Sequence, residues 1–404
     1  MRRKLLWTAA LLYSLAHFAV TGLRQPLQNF YGDFLASFPP RRLAMLAGRL
    51  DLWTGTLAQQ WTHMWSWGHP DIWYYGPIEH LIAAPLLAFP SLRSAYIAWL
   101  FVNLIFVAIT MAIAAKVVDD ALVVIVAFLN FNPLYEALTQ RTIEVFELLL
   151  LFAAYALYRR GRDGACGAVL GAAAMAKFLP IAYLPWLVLK RKWRALIAAI
   201  AVIVPIAIAT QLLLGWQNNG TLQQAKHGGF TNSDLNQSLS GVIVRIAGLE
   251  HAVTASRVAI VIALIAFCAL MLRVRNREGM EDLEFGVIAM AMVLLPPHNQ
   301  NYYFSFLLLP YAFLYARHRN QPWSWRTTLL AISFGLVAAP IPFSIVQRLT
   351  GLDAFSLYLR AAIPFVGATL LVVVLIAEIG MSHAVLTAEQ PCPSKKPSRI
   401  SALS

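Results

Sequence analysis

Apolar stretches run through this chain in greater number and length than a soluble core could hide. Runs long enough to span a bilayer, or nearly so, lie at about 5–23, 94–117, 143–158, 194–215, 255–273, 283–297, 302–317, 327–346 and 357–380. Shorter ones lie at about 78–91, 120–132, 167–177 and 179–189. A helix needs about 20 apolar residues to cross the hydrocarbon. With 59% of residues hydrophobic and only 13% charged, composition agrees with the pattern. The chain reads as an all-α polytopic integral membrane protein with about twelve transmembrane helices. The first run follows Arg2, Arg3 and Lys4 as a signal peptide would, but no small-residue cleavage site closes it, so it is taken as the first transmembrane helix.

A net charge of +13 would suggest nucleic-acid binding if the basic residues formed one surface patch. Instead they cap apolar runs: Arg159, Arg160 and Arg162; Lys190, Arg191, Lys192 and Arg194; Arg273, Arg275 and Arg277; Arg317 and Arg319. That distribution is the positive-inside rule, and it orients the chain rather than recruiting nucleic acid. Cys166, Cys268 and Cys392 have neither disulfide nor metal-ligand spacing, and no metal or other cofactor is expected.

Basic clusters on both sides of 167–189 place Gly161 and Lys190 on one face, which predicts a hairpin or re-entrant pair turning near Lys177-Phe178-Leu179-Pro180. Parity then requires that one short stretch before Arg159, either 78–91 or 120–132, fails to cross. Residues 1–380 are expected to form a single transmembrane domain, with extracytoplasmic loops at 24–77, carrying interfacial helices, and at 216–253. Smaller outer loops are expected at 131–142 and 298–301, and a disordered cytoplasmic tail at 381–404. The expected location is the inner (plasma) membrane, in multiple passes.

The unusual polar residues gather on the face opposite the basic clusters: Asp33, Asn132, Glu136, Gln140, Arg141, Glu144, Lys177, residues 229–238, and 298–303. Polar groups this close to lipid are costly and by default face a cavity. Trp53, Trp61, Trp65, Trp67 and Trp73 enrich the first loop, either as headgroup anchors or as stacking platforms for a saccharide.

In sequence come Asn132-Pro133, Gln140 and Glu144, then Arg159-Arg160-Gly161-Arg162. An Ala/Gly-rich run follows to Ala176-Lys177-Phe178-Leu179-Pro180, then Leu235-Asn236-Gln237-Ser238-Leu239 with Arg245-Ile246-Ala247-Gly248, then Pro297-His298 and Tyr302. The order and spacing of these landmarks, from about residue 29 to 310, resemble glycosyltransferase family 87, the polyprenol-phosphate-mannose-dependent mannosyltransferases of the GT-C superfamily. The resemblance implies a GT-C fold and transfer of a sugar, by default mannose, from a polyprenyl-phosphate carrier to a glycolipid or glycan acceptor hydroxyl. Transfer would proceed with inversion, outside the cytoplasm, with membrane lipids around it and no nucleic acid involved.

An acceptor alcohol must lose its proton as it attacks, so a carboxylate has to serve as base. The family places an aspartate soon after the first helix, where Asp33 stands; the plainer role for such a residue is a helix cap. His298 is the second candidate catalytic residue, able to orient the sugar or share a proton, or else an interfacial structural histidine. The leaving phosphate gains negative charge, so cations must wait beside it. Lys177 is the first candidate, with snorkelling toward headgroups as its alternative; Arg141 and Arg42 are weaker ones. Asn236 and Gln237 either bind sugar hydroxyls or cap the helix beginning near Ser238. Glu144 either touches substrate or pairs with Arg141 at i,i+3. Gln140 and Tyr302 complete the expected sugar and acceptor site.

Departures from the family pattern include Thr139-Gln140-Arg141-Thr142 in place of Gly-Gln-x-Asn, and Tyr75-Gly76-Pro77 in place of Tyr-Pro-Pro. A lipid or solute transporter is the rival reading, with Lys177 and Glu144 as coupling charges.

Overall fold

The computed structural model describes residues 2–28, 77–214, 234–275 and 279–388. Every regular element among them is helical. The chain opens with α1 (Arg2–His17), which passes through a π-helical stretch (Phe18–Arg24) into α2 (Gln25–Gln28). Five further elements follow: α3 (Pro77–Ala83), α4 (Leu92–Val118), α5 (Ala121–Phe128), α6 (Asn132–Gln140) and α7 (Glu144–Arg159). Next come α8 (Asp163–Lys177), a 3-10 turn (Leu179–Ala182), α9 (Tyr183–Leu189) and α10 (Trp193–Leu214). The second half holds α11 (Leu239–Ala247), α12 (Leu249–Val274), α13 (Glu281–Leu294), a 3-10 segment (Asn301–Leu307) and α14 (Leu308–His318). It ends with α15 (Trp325–Ala338), α16 (Phe343–Thr350), α17 (Ala354–Arg360) and α18 (Ile363–Ala388).

Five of these helical stretches are long and apolar enough to cross a membrane, and up to seven if each of two bent pairs counts as one. The chain is thus a polytopic membrane protein. The bent pairs are α5 with α6, at 57°, and α15 with α16, at 67°. Two expectations change here. Residues 131–142 are a buried helix rather than an outer loop, because Pro133 at the helix start and a run of buried residues from Asn132 to Thr139 favour helix. The run at 327–346 is not one segment: it breaks at Ala339-Pro340-Ile341-Pro342, where two prolines cannot continue a helix. In addition, residues 24–28 are helical, and α18 runs to Ala388, past the expected tail boundary at 381.

Side-chain contacts sort the helices between two ends. At one end lie the ion pairs Lys192–Asp163 (3.1 Å), Lys190–Glu284 (3.1 Å), Arg317–Asp282 (2.5 Å), Arg319–Asp119 (3.0 Å) and Arg326–Glu378. The basic clusters therefore share one end, as the sequence pattern requires. Residues 77–88 stay at the opposite end, where Ala83 and Leu86 pack with Tyr96, Trp99, Ile143 and Ala176. The α5–α6 pair runs between the two ends, from Asp120, bonded to Tyr315 of α14, to Asn132, bonded to Ala339. Of the two short stretches, 77–88 stays at one end and the α5–α6 pair runs between the ends.

The hairpin is present. Asp163 and Lys192 close its base, and Phe178, with φ of +65°, turns its tip. Gly167 and Gly171 let α8 lie directly on α10: a Cβ on Gly167 would overlap the Ala195 carbonyl, and one on Gly171 would lie 2.6 Å from the Ala199 oxygen. Small residues four apart on both helices are how backbones approach closely in membranes. On the other side α9 docks on α13, where Tyr183 and Phe285 rings meet at 4.2 Å and Trp186 donates to Glu284 at 2.9 Å.

Candidate active site

The hairpin carries Lys177 to the end opposite the ion-pair layer. Lys177 is the last residue of α8, at a helix C-terminus, where a cation is favoured by the dipole. Facing it is the first turn of α7, where acids are favoured for the same reason and where Glu144 and Glu147 stand at i,i+3. Lys177 Nζ forms an ion pair with Glu144 Oε1, with Glu144 fully buried and Lys177 nearly so. The Tyr303 ring lies 4.3 Å from the ammonium and the Tyr302 ring 5.4 Å, in cation–π range, and the two rings stack at 4.8 Å.

This rules out one of the two readings of Glu144, the pair with Arg141. Arg141 adopts φ of +55° and turns its guanidinium away. It donates from Nε to Tyr96 O (3.1 Å), from Nη1 to Thr139 O (3.0 Å) and from Nη2 to Pro26 O (2.7 Å), with the Tyr96 ring 3.2 Å from its Cζ. It is fully buried, and its fork is spent on main-chain carbonyls rather than held open to a phosphate. The result is a staple joining α2, α4 and the α6–α7 turn.

Glu147 was not singled out from the sequence, since it sits inside an apolar run. It is fully buried, and among the described residues neither carboxylate oxygen has a hydrogen-bond partner; nor does Glu144 Oε2. A second carboxylate thus lies near the ammonium without pairing with it. Burying charge without full pairing is costly, and sites that keep such groups are candidates for function.

Asn236 is committed to structure. Its Nδ2 donates to Pro297 O (3.0 Å), while its Oδ1 accepts from Asn299 N (3.0 Å), Ser238 N (3.2 Å) and Ser238 Oγ (2.8 Å). The cap of α11 is Ser238, which accepts from Gly241 N at 3.1 Å. Gln237 donates to Asp234 O (2.5 Å) and Leu359 O (2.9 Å), and its buried Oε1 accepts nothing. The 234–238 strap is thereby tied to 297–299, which also positions the half-buried His298. Asn301 donates to Glu136 at 2.7 Å, linking the 3-10 segment to α6, and Gln140 ends α6, half-buried. Tyr302 is buried. Asp33 and Arg42 lie outside the described residues. Among the described residues, no three His, Cys, Asp or Glu side chains are placed to hold a metal ion.

The arrangement is a buried cation at a break between helices, under an aromatic lid, held by one carboxylate that an incoming anion could replace. The sequence profile described as glycosyltransferase family 87 matches residues 73–297, more than half of the chain. The chain belongs to glycosyltransferase family 87. It is therefore a membrane glycosyltransferase. Lys177, Glu144, Glu147, Arg141 and the Asn236 strap fall within the matched stretch; Asp33, Arg42, His298 and Tyr302 fall outside it. No curated protein matches the chain.

Proposed function

We propose that this family 87 glycosyltransferase transfers a sugar, mannose in the first instance, from a polyprenyl-phosphate carrier to a glycolipid or glycan hydroxyl, with inversion, at the extracytoplasmic face of the inner membrane. The observation that carries this reading is the Lys177 ammonium, buried at the tip of the hairpin on the end away from the basic clusters. A lipid phosphate confined to the bilayer needs a cation at this kind of depth, and its leaving oxygen gains charge that the ammonium stabilises. Glu144 then acts as the counter-ion that holds Lys177 until donor phosphate takes its place. Tyr303 and Tyr302 shield the ammonium from water and strengthen its field.

The carboxylate that takes the acceptor proton is Asp33, on the strength of its place after the first helix, with His298 beside the acceptor. Mannose rests on the family pattern alone.

The test is transfer by purified protein in nanodiscs from radiolabelled polyprenyl-phosphate mannose to lipid extract, comparing wild type, Asp33→Asn and Lys177→Gln. Label should move to a new glycolipid with wild type only. Transfer by Asp33→Asn would remove Asp33 as base, and silence from the folded wild type with every lipid-linked sugar offered would overturn the reading.

A further inference from the structure

The bend between α15 and α16 leaves a stripe of large apolar side chains facing away from the protein. Ile345 and Leu349 lie one turn apart on α16, Ile341 precedes the helix and Leu352 follows it; all four are exposed, Leu349 by 81%. No residue of α16 is buried. The other side of this segment is anchored: Phe343 packs on Phe355 at 5.3 Å and on Tyr358 at 5.4 Å. So α16 has an inner apolar face that meets the protein and an outer one that meets something else.

Two observations identify what that is. One is depth. α15 begins at the ion-paired end, where Arg326 meets Glu378, and its 14 residues rise only ~21 Å at 1.5 Å each. The hydrocarbon core is about 30 Å thick. The chain therefore leaves its crossing direction roughly 9 Å short of the far boundary, and any tilt of α15 lengthens the shortfall. Ile332 of α15 and Val366 of α18 are exposed as well.

The other observation is how the break itself is satisfied. Its three successive carbonyls each receive a side-chain donor: Asn132 donates to Ala339 O and, at 3.4 Å, to Ile341 O, and Tyr13 donates to Pro340 O at 2.6 Å. The last carbonyls of α15, Leu336 and Val337, accept from Tyr358 at 3.0 and 2.9 Å. A break facing water needs no such provision, because water supplies the donors. A break shut off from water needs it, whether water is excluded by protein, as at buried Ala339, or by the surrounding hydrocarbon at lipid depth.

We infer that α16 is an interfacial helix lying in the outer leaflet, with Ile345, Leu349 and Leu352 in the acyl chains and Gln347 toward the headgroups. Its partner is the lipid surface itself. The helix is not the second half of a crossing span, and this assignment is independent of which sugar the enzyme moves.

Single-cysteine variants Ile345→Cys, Leu349→Cys, Leu352→Cys and Gln347→Cys would be made in a chain whose own three cysteines are replaced by alanine or serine. Each is labelled with an environment-sensitive fluorophore and placed in nanodiscs. Lipids bearing an acyl-chain nitroxide should quench positions 345, 349 and 352 several-fold more than position 347, and aqueous iodide should show the reverse order. Iodide quenching at 349 and 352 equal to that at 347 would overturn the proposal. So would protection of 349 and 352 from both quenchers, which would mean that protein covers the stripe, either residues 29–76 or a second copy. Monodisperse elution of each variant before reconstitution separates these outcomes from misfolding.

Discussion

At the scale of single residues the decisive feature is that Lys177 and Glu144 are worth more as a pair than either is alone. Removing one partner of a buried ion pair strands the other and costs about 3–5 kcal/mol, whereas removing both is often neutral. Lys177→Met and Glu144→Gln should each lower the unfolding midpoint in detergent, and the double variant should recover most of the loss. Sugar transfer should stay abolished in Lys177→Met and in the double variant, because restored packing does not restore the phosphate's cation. Recovery of transfer along with stability would show that Lys177 serves only the fold. Glu147 gives the opposite pattern. Its oxygens are buried without partners, so Glu147→Met should raise the midpoint by the equivalent of about 1–3 kcal/mol. Transfer should fall at least tenfold if the second carboxylate helps to hold Lys177. A gain in stability with unchanged kcat and KM would leave Glu147 without a part in the reaction.

At the scale of elements, the placing of Lys177 rests on how closely α8 lies against α10. The glycines of α8 test this by degree. Gly164 has open space around it, so Gly164→Ala should be neutral or stabilising by about 0.5–1 kcal/mol, the usual gain for alanine in a helix. Gly171→Ala must push its Cβ against the Ala199 carbonyl, and Gly167→Ala meets Ala195 still more severely. Midpoints measured by thermal shift should fall in the order Gly164→Ala, Gly171→Ala, Gly167→Ala, and donor KM should rise in the same order as the hairpin tip shifts. This hairpin was legible in the sequence, because Lys177-Phe178-Leu179-Pro180 breaks an apolar run between two basic clusters. The apolar periods also placed α4, α7 and α10 to within two residues and α12 at its end, whereas α12 begins earlier than expected and α18 begins and ends later. Pairings across the chain were not legible. Glu144 is 33 residues from Lys177 and three from Arg141, so local spacing offered only Arg141 as an ionic partner. Arg141 finds its carbonyls on residues 115 and 45 positions away. Glu147 was hidden because an isolated acid in an apolar run gives no sign of what it will face. The break at Pro340 and Pro342 was written in the sequence, but the apolar residues around it made 327–346 look continuous.

At the scale of the whole molecule, charge separates the two ends, and that separation dictates the side on which the chemistry takes place. One end gathers Lys190, Lys192, Arg317, Arg319 and Arg326 with their acidic partners, while the other gathers Lys177, the Asn236 strap and the 3-10 segment at Asn301. Loops rich in Lys and Arg stay in the cytoplasm, so on the proposed reading the Lys177 end would face outward, where a polyprenyl carrier would present its sugar. The ion pairs at the basic end neutralise only part of its charge: Arg160, Arg162, Arg191 and Arg194 lie in the same loops and add to the bias. Cysteines introduced singly at Arg160, Arg191 and Gln321 should therefore resist a membrane-impermeant thiol reagent in intact cells and react once the membrane is opened. Cysteines at Leu235 and Gln300 should react in intact cells. Reversal of this pattern would put the buried cation next to the cytoplasm, and the donor would then have to be one presented on that face.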